Sequence, residues 1–149
     1  MPNFETLLKT DCENIEWNQV LNLFRLVNWA ERDLVTVKKS FANSTHKCFF
    51  MEGDLIIAFG RTVDDDSYYG WIVDVVVHPD YQGKGLGTKV VNYLKSAMEG
   101  FRFISLTAAP GKDAFYEKIG WKRQKSAFIW PIDEKQMVEH CFKNNLLPE

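Results

Sequence analysis

The segment that most constrains this chain is an apolar run that ends at a proline and leads into three alternating glycines. It spans residues 74–88 and reads DVVVHPDYQGKGLGT. The run predicts a strand buried on both faces, and the apolar spacing after the glycines predicts an amphipathic helix. A strand that turns through glycines into a helix leaves bare backbone N–H groups at the helix N-terminus, where an anion such as a pyrophosphate can bind.

Three phosphate-binding patterns compete for this turn. A mononucleotide-binding loop needs Gly-Lys followed by Ser or Thr, which the stretch from Gly83 to Thr88 lacks. The dinucleotide fingerprint needs a third glycine where Thr88 stands, and it belongs to an early β-α-β unit. The pattern Gln/Arg-x-x-Gly-x-Gly/Ala is matched by Gln82, Gly85 and Gly87. A glycine-rich connection that binds no ligand is the alternative to this interpretation.

The composition is that of an ordinary globular protein. The 149 residues are 46% hydrophobic and 26% charged, which predicts a single domain over residues 1–149. A formal net charge of −2 gives no reason to expect a nucleic-acid partner. No uncharged apolar run approaches the roughly 20 residues of a membrane span, and the first residues lack a signal-peptide pattern. Three widely spaced cysteines predict reduced thiols in a cytoplasmic protein, and no closely spaced ligand set predicts a metal.

Hydrophobic periodicity predicts alternating helices and strands in the second half of the chain and two helices near its start. We therefore predict an α+β fold, a mixed sheet with helices on both faces. The predicted helices begin near residues 15, 33, 86, 113 and 137. The predicted strands cover residues 46–51, 55–62, 71–77, 101–108 and 126–130.

Two motifs resemble the signatures of one known family, the GNAT superfamily of N-acetyltransferases. Residues 82–87 resemble its acyl-CoA-binding signature, and residues 115–121, reading FYEKIGW, resemble its second signature. Residues 55–61 resemble the family's central strand, so the likeness covers about residues 46–130. The segments at 27–29 and 71–77 resemble small members related to plant-type arylalkylamine acetyltransferases.

This resemblance implies a GNAT-like fold, with a mostly antiparallel central sheet flanked by helices, and acetyl-CoA as the acetyl donor without a metal. It implies direct transfer to a primary amine, because none of the three cysteines lies in either motif. The implied donor-binding residues are Val75, Val76 and Val77 for the pantetheine arm, and Gln82, Gly83, Lys84, Gly85, Leu86, Gly87 and Thr88 for the pyrophosphate. The side chain of Lys84 either reaches a phosphate or is a solvated lysine.

Two side chains are the candidate catalytic groups. Tyr116, in the second motif, is placed by the resemblance to protonate the departing CoA thiolate, and a packed structural tyrosine is the alternative. Asp74 is a carboxylate within an apolar strand, so it is either a general base for the amine or the partner of a lysine or arginine. His78 is a further candidate base, although its place before Pro79 favours a structural role in the turn.

The acceptor is less constrained by the sequence. We predict a small-molecule amine, with no nucleic-acid and no membrane partner, and the resemblance is compatible with a homodimer. The acidic stretch 64–66 is either a solvated turn or a rim that attracts a cationic amine. Two alternatives remain: an acetyltransferase that acts on a protein or peptide amine, and a non-catalytic acyl-CoA-binding regulatory module.

Overall fold

The computed structural model describes residues 5–143. These fall into two compact units, divided after Thr107. We call the part up to Thr107 the sheet unit and the part from Ala108 onward the C-terminal unit. The single domain expected from chain length stays a prediction.

The sheet unit is built on five strands in the order β1-β2-β3-β4-β5. The first four pair antiparallel, and β4 pairs with β5 in parallel, so the predicted mixed, mostly antiparallel sheet is confirmed. The strands are β1 (Leu7–Lys9), β2 (Lys47–Glu52), β3 (Leu55–Asp64), β4 (Tyr69–Val77) and β5 (Phe103–Leu106).

Two helices, α1 (Trp17–Leu26) and α2 (Leu34–Asn43), cover one face of this sheet. The predicted N-cap is confirmed, because the Asp33 carboxylate accepts a hydrogen bond of 2.8 Å from the N–H of Thr36. Apolar side chains of both helices pack with those of β2, β3 and β4 into one core cluster. Phe59 of β3 lies at its centre, fully buried among the rings of Phe24, Phe41 and Phe49.

The opposite face of the sheet is covered by helix α3 (Leu86–Ala97). Neighbouring strand residues point to opposite faces, so Gly60 lies on the face that Phe59 does not use. A Cβ atom on Gly60 would lie 2.6 Å from Val90 Cγ1 and 3.0 Å from Leu94 Cδ1, so α3 packs directly on the strand backbone. The predicted arrangement of helices on both faces is therefore confirmed.

The C-terminal unit contains two short helices, α4 (Asp113–Lys118) and α5 (Glu134–His140), as the sequence predicted. The strand predicted at residues 126–130 is wrong, because residues 108–143 contain no strand. Phe128 and Trp130 are 92% and 91% exposed there. Aromatic residues favour strands through packing against neighbours, and here they lack that packing.

Within residues 5–143, every helix is too short or too polar to cross a lipid bilayer.

Candidate active site

The second half of β4 has an open edge. Strand β5 pairs only with residues 69–72 of β4, whereas β3 continues to pair with β4 as far as Val77. Within residues 5–143, no strand pairs with residues 73–77 on the β5 side. An edge of this kind presents unpaired N–H and C=O groups that an extended ligand with amide groups can bind.

The ladder between β3 and β4 shows which peptide groups face this opening. The N–H of His78 donates to the carbonyl of Ile57 at 2.8 Å. Peptide groups alternate along an antiparallel strand, so those of Val76 also face β3, and those of Val75 and Val77 face the open side. The backbone of Val76 is thus directed towards β3 and its side chain into the core. The pantetheine contacts of Val75, Val76 and Val77 stay a prediction.

A bulge in β4 lies next to the open edge. Phe59 pairs with Val76 and Arg61 pairs with Val73, so two residues of β4, Asp74 and Val75, lie opposite the single residue Gly60. Asp74 has a φ of 54°, in the left-handed region that few residues other than glycine adopt. The bulge therefore places Asp74, whose side chain is a carboxylate, in an unusual backbone conformation.

The side chain of Asp74 is 6% exposed and lies between two arginines. Arg32 contacts both carboxylate oxygens, with Nη2 2.9 Å from Oδ1 and Nη1 3.0 Å from Oδ2. Arg61 donates from Nε to Oδ2 at 2.8 Å. Of the two sequence interpretations of Asp74, the structure shows the ion pair, and the role of general base stays a prediction.

The sequence analysis did not identify Arg32 and Arg61. One signal was available, since Arg61 is a charged residue inside an apolar strand and such a residue needs a partner. The partner was not identifiable locally, because Arg61 and Arg32 lie 13 and 42 residues from Asp74 along the chain.

The glycine turn follows β4 and ends at the first residue of α3. Gly83 and Gly85 have φ angles of 77° and 82°. Gly85 is the N-cap of α3, and a glycine has no side chain that could cap the helix. The first turn of α3 contains no acidic residue. The N–H groups of Leu86, Gly87 and Thr88 therefore have no partner within the helix and are suited to an anion.

The residues between β4 and the glycines shape this turn. His78 Nδ1 accepts a hydrogen bond of 3.1 Å from the N–H of Asp80, so its side chain stabilises the turn, and its role as a base stays a prediction. Gln82 donates from Nε2 to the carbonyl of Val77 at 3.1 Å, so its side chain closes one end of the open edge. Lys84 Nζ lies 5.1 Å from the centre of the Tyr81 ring, within the range of a cation–π contact.

Tyr116 belongs to the C-terminal unit, in helix α4. Its ring is partly buried and makes edge contacts with Phe115 and Trp121, at centroid distances of 4.9 and 6.5 Å. Burial raises the pKa of its phenol above the ordinary value. A phenol holds its proton at neutral pH even at the ordinary pKa, and the burial of Tyr116 extends this to a higher pH.

Comparison with known proteins decides the family. The family model of the acetyltransferase (GNAT) domain matches residues 44–123. A protein of Pyropia yezoensis named uncharacterized N-acetyltransferase ycf52 is 31% identical, over 87% of this chain and 88% of its own. This chain belongs to the GNAT family of acetyltransferases. The predicted family, fold and enzyme class are thereby confirmed.

Two solved structures show how widely the acetyltransferase fold is shared. Glucosamine-6-phosphate N-acetyltransferase of Arabidopsis thaliana superposes with a TM-score of 0.65 at 20% identity, over 86% of this chain and 99% of that one. A ribosomal-protein alanine N-acetyltransferase of Escherichia coli superposes with a TM-score of 0.67 at 18% identity, over 80% and 79%. At this identity the likeness shows the fold alone. The names of these two proteins also differ in the acceptor, so the fold does not decide it.

Two depressions lie on the sheet unit of this acetyltransferase. One, of about 250 Å³, is lined by polar groups that include Arg32, Arg61, Thr36 and Ser40. The other, of about 210 Å³, is an apolar depression lined by Trp71 and by the stacked rings of Tyr69 and Phe103, among other residues.

The acidic turn of the acetyltransferase lies beside a histidine. His46 Nε2 is 3.6 Å from Asp66 Oδ1, and the ligand atoms of His46, Asp64 and Asp66 all lie within 4.8 Å of one another. Asp65 caps the turn by accepting hydrogen bonds from three backbone N–H groups, which hold its pKa below the ordinary value. The turn is therefore internally bonded, and the absence of a metal stays a prediction.

Two of the three thiols of the acetyltransferase, those of Cys12 and Cys48, are unsuited to nucleophilic catalysis. Burial raises the pKa of Cys48 to about 12, and it also raises the pKa of Cys12. A thiol with a raised pKa is poorly ionised at neutral pH and is a weak nucleophile. This favours direct transfer over an acetyl-cysteine intermediate.

Proposed function

We propose that this protein transfers the acetyl group of acetyl-CoA directly to the primary amine of a small molecule. The observation that carries the proposal is the open edge of β4, which runs through the glycine turn to the bare N-terminus of α3. One extended ligand with amide groups at one end and a pyrophosphate at the other matches both features, and acetyl-CoA has this chemistry.

In this proposal the donor binds along the sheet unit in two parts. The amides of the pantetheine arm pair with the outward-facing peptide groups of Val75 and with the N–H of Val77, whose carbonyl already accepts a hydrogen bond from Gln82. The pyrophosphate accepts hydrogen bonds from N–H groups of residues 82–88, with the helix dipole adding a modest attraction. Leu86 contributes only its backbone, because its side chain is buried. Lys84 neutralises one phosphate charge.

Tyr116 is proposed as the general acid. Attack of the amine on the thioester expels a thiolate, and a phenol that is still protonated can donate to the sulfur as negative charge develops there. This assignment is supported by the motif that surrounds Tyr116, residues 115–121.

The removal of the amine proton is less constrained. Asp74 was predicted as the base, but both of its oxygens already accept hydrogen bonds from guanidinium groups. An Asp74→Asn enzyme separates the two roles. If Asp74 is the base, the Asp74→Asn enzyme should lose activity mainly at low pH, where the amine is mainly protonated. An activity profile with the pH dependence of the wild type would contradict the base role.

The acceptor is proposed to be small because the formal net charge of −2 and the sequence give no long basic or acidic groove for a macromolecule. A protein or peptide amine is the second candidate. We place the reaction in the cytoplasm, because the three cysteines are unpaired as in a reducing compartment. The homodimer stays a prediction.

One assay tests the proposal as a whole. The purified protein is incubated with acetyl-CoA and a panel of small primary amines, with peptides bearing free N-termini as a second panel, and free thiol is followed. We expect thiol release that depends on a small amine. Thiol release with the peptides but not with the small amines would favour a protein or peptide acceptor. Acetyl-CoA binding without release would favour a regulatory module, and no binding would overturn the donor.

A further inference from the structure

We propose that Arg32 and Arg61 are positioning residues that hold the bulge of β4, and with it the open edge, through the carboxylate of Asp74. We call these three residues the Asp74 clamp. The inference rests on the proposed function, because the shape of the edge affects catalysis only if acetyl-CoA binds along it.

The local sequence does not favour the bulge. Asp74 is in the left-handed conformation, with a φ of 54°, while its neighbours Val73 and Val75 are β-branched residues that favour a regular extended strand. Aspartate is one of the few residues other than glycine that tolerates this conformation. The conformation still costs free energy inside a strand, and contacts from outside the strand can offset that cost.

The clamp supplies those contacts from two different elements. Arg61 lies on β3, opposite Val73, and Arg32 lies in the connection between α1 and α2. Both arginines are oriented by further contacts: Arg61 Nη1 donates to Ser44 Oγ at 3.2 Å, and the Arg32 guanidinium lies 4.2 Å above the Phe24 ring. The carboxylate is thus held in place from the neighbouring strand and from the helix layer.

The bulge sets which peptide groups face the ligand. Peptide directions along a strand have a period of two, and the bulge adds one residue to β4 relative to β3. Without it, residues 75–77 would shift by one position against β3. The groups of Val75 and Val77 would then face into the sheet, and the open side would present those of Val76. Loss of the clamp should therefore weaken binding of the pantetheine arm and leave the glycine turn unaffected.

Two ligands separate these effects. Acetyl-CoA spans both the edge and the glycine turn, whereas 3′-phospho-ADP has the nucleotide and pyrophosphate of CoA without the pantetheine arm. Affinities for both are measured by calorimetry on the wild type, Arg61→Met and Arg32→Met, with Arg61→Lys as the conservative variant. Arg25→Met is the matched control, because Arg25 is 60% exposed and pairs only at the surface with Glu31. Circular dichroism confirms that each variant is folded.

We expect both methionine variants to bind acetyl-CoA at least about tenfold more weakly while their affinity for 3′-phospho-ADP changes less than about twofold. Arg61→Lys should lose less than Arg61→Met, and Arg25→Met should match the wild type. Equal weakening of both ligands, or unchanged acetyl-CoA affinity in a folded variant, would overturn the clamp. If Arg61→Met fails to fold, the more exposed Arg32 decides the matter alone. A wild type that does not bind acetyl-CoA would instead overturn the proposed function.

Discussion

At the scale of single residues, a tyrosine can protonate a departing thiolate only while it retains its own proton. Burial raises the pKa of the Tyr116 phenol above the ordinary value of about 10, so this phenol holds its proton to a higher pH than an exposed tyrosine does. The activity that depends on this proton is lost as the pH rises through that pKa. The alkaline limb of the kcat profile should therefore lie above pH 10.

Replacing Tyr116 with phenylalanine tests this role. The variant keeps the ring contacts with Phe115 and Trp121 and removes only the hydroxyl. We expect kcat to fall by about 10²–10⁴-fold, the usual contribution of a general acid, while the affinity for acetyl-CoA is unchanged. Steady-state kinetics and calorimetry measure the two quantities. An unchanged kcat would remove Tyr116 from the mechanism.

Asp74 shows what the sequence predicts of a site at this scale and what it does not. A carboxylate in an apolar strand indicates that the group has a partner or a task, and that much was predictable. The choice between them depends on Arg32 and Arg61, which come from distant parts of the chain. The left-handed backbone of Asp74 could not be predicted from the sequence either, because the surrounding valines favour a regular strand.

At the scale of elements, the glycine turn depends on backbone angles that a side chain disfavours. A Cβ on Gly85 would meet nothing within 4 Å, so the obstacle to substitution is its φ of 82° and not space. We expect Gly85→Val to weaken acetyl-CoA binding by about tenfold or more, because a β-branched residue avoids this angle. Gly85→Asn, which tolerates positive φ, is the matched control and should lose less. Equal affinities in both variants would contradict this explanation.

The core of the sheet unit depends on one buried side chain of β3. Phe59 is fully buried among three aromatic rings, so Phe59→Ala should lower the free energy of unfolding by about 3–5 kcal/mol. Urea unfolding measures this. Val63→Ala lies on the same strand at a position that is 53% exposed, and it should change stability by less than about 0.5 kcal/mol. Similar losses in both variants would contradict the assigned core.

Elements were predictable where burial and periodicity agree. The helix after the glycines and the three strands β2, β3 and β4 were found within a few residues of their observed ends. Two errors have physical causes. Strand β1 has only three residues and no apolar alternation long enough to detect. Residues 126–130 have strand-forming side chains, but within residues 5–143 they pair with no strand.

At the scale of the whole molecule, direct transfer requires donor and acceptor to be bound at the same time. Initial rates measured over a grid of acetyl-CoA and amine concentrations should therefore give intersecting double-reciprocal lines. Parallel lines would indicate an acetyl-enzyme intermediate. We expect the intersecting pattern, because Cys48 is buried with a pKa of about 12 and neither sequence motif contains a cysteine.

The central claim is that the open edge of β4 and the glycine turn together bind acetyl-CoA. A crystal structure of the protein with CoA tests it most directly. We expect hydrogen bonds from the pantetheine arm to the peptide groups of Val75 and to the N–H of Val77, with the pyrophosphate on the N–H groups of residues 82–88. A pantetheine arm that lies elsewhere, with residues 73–77 still unpaired on the β5 side, would contradict it.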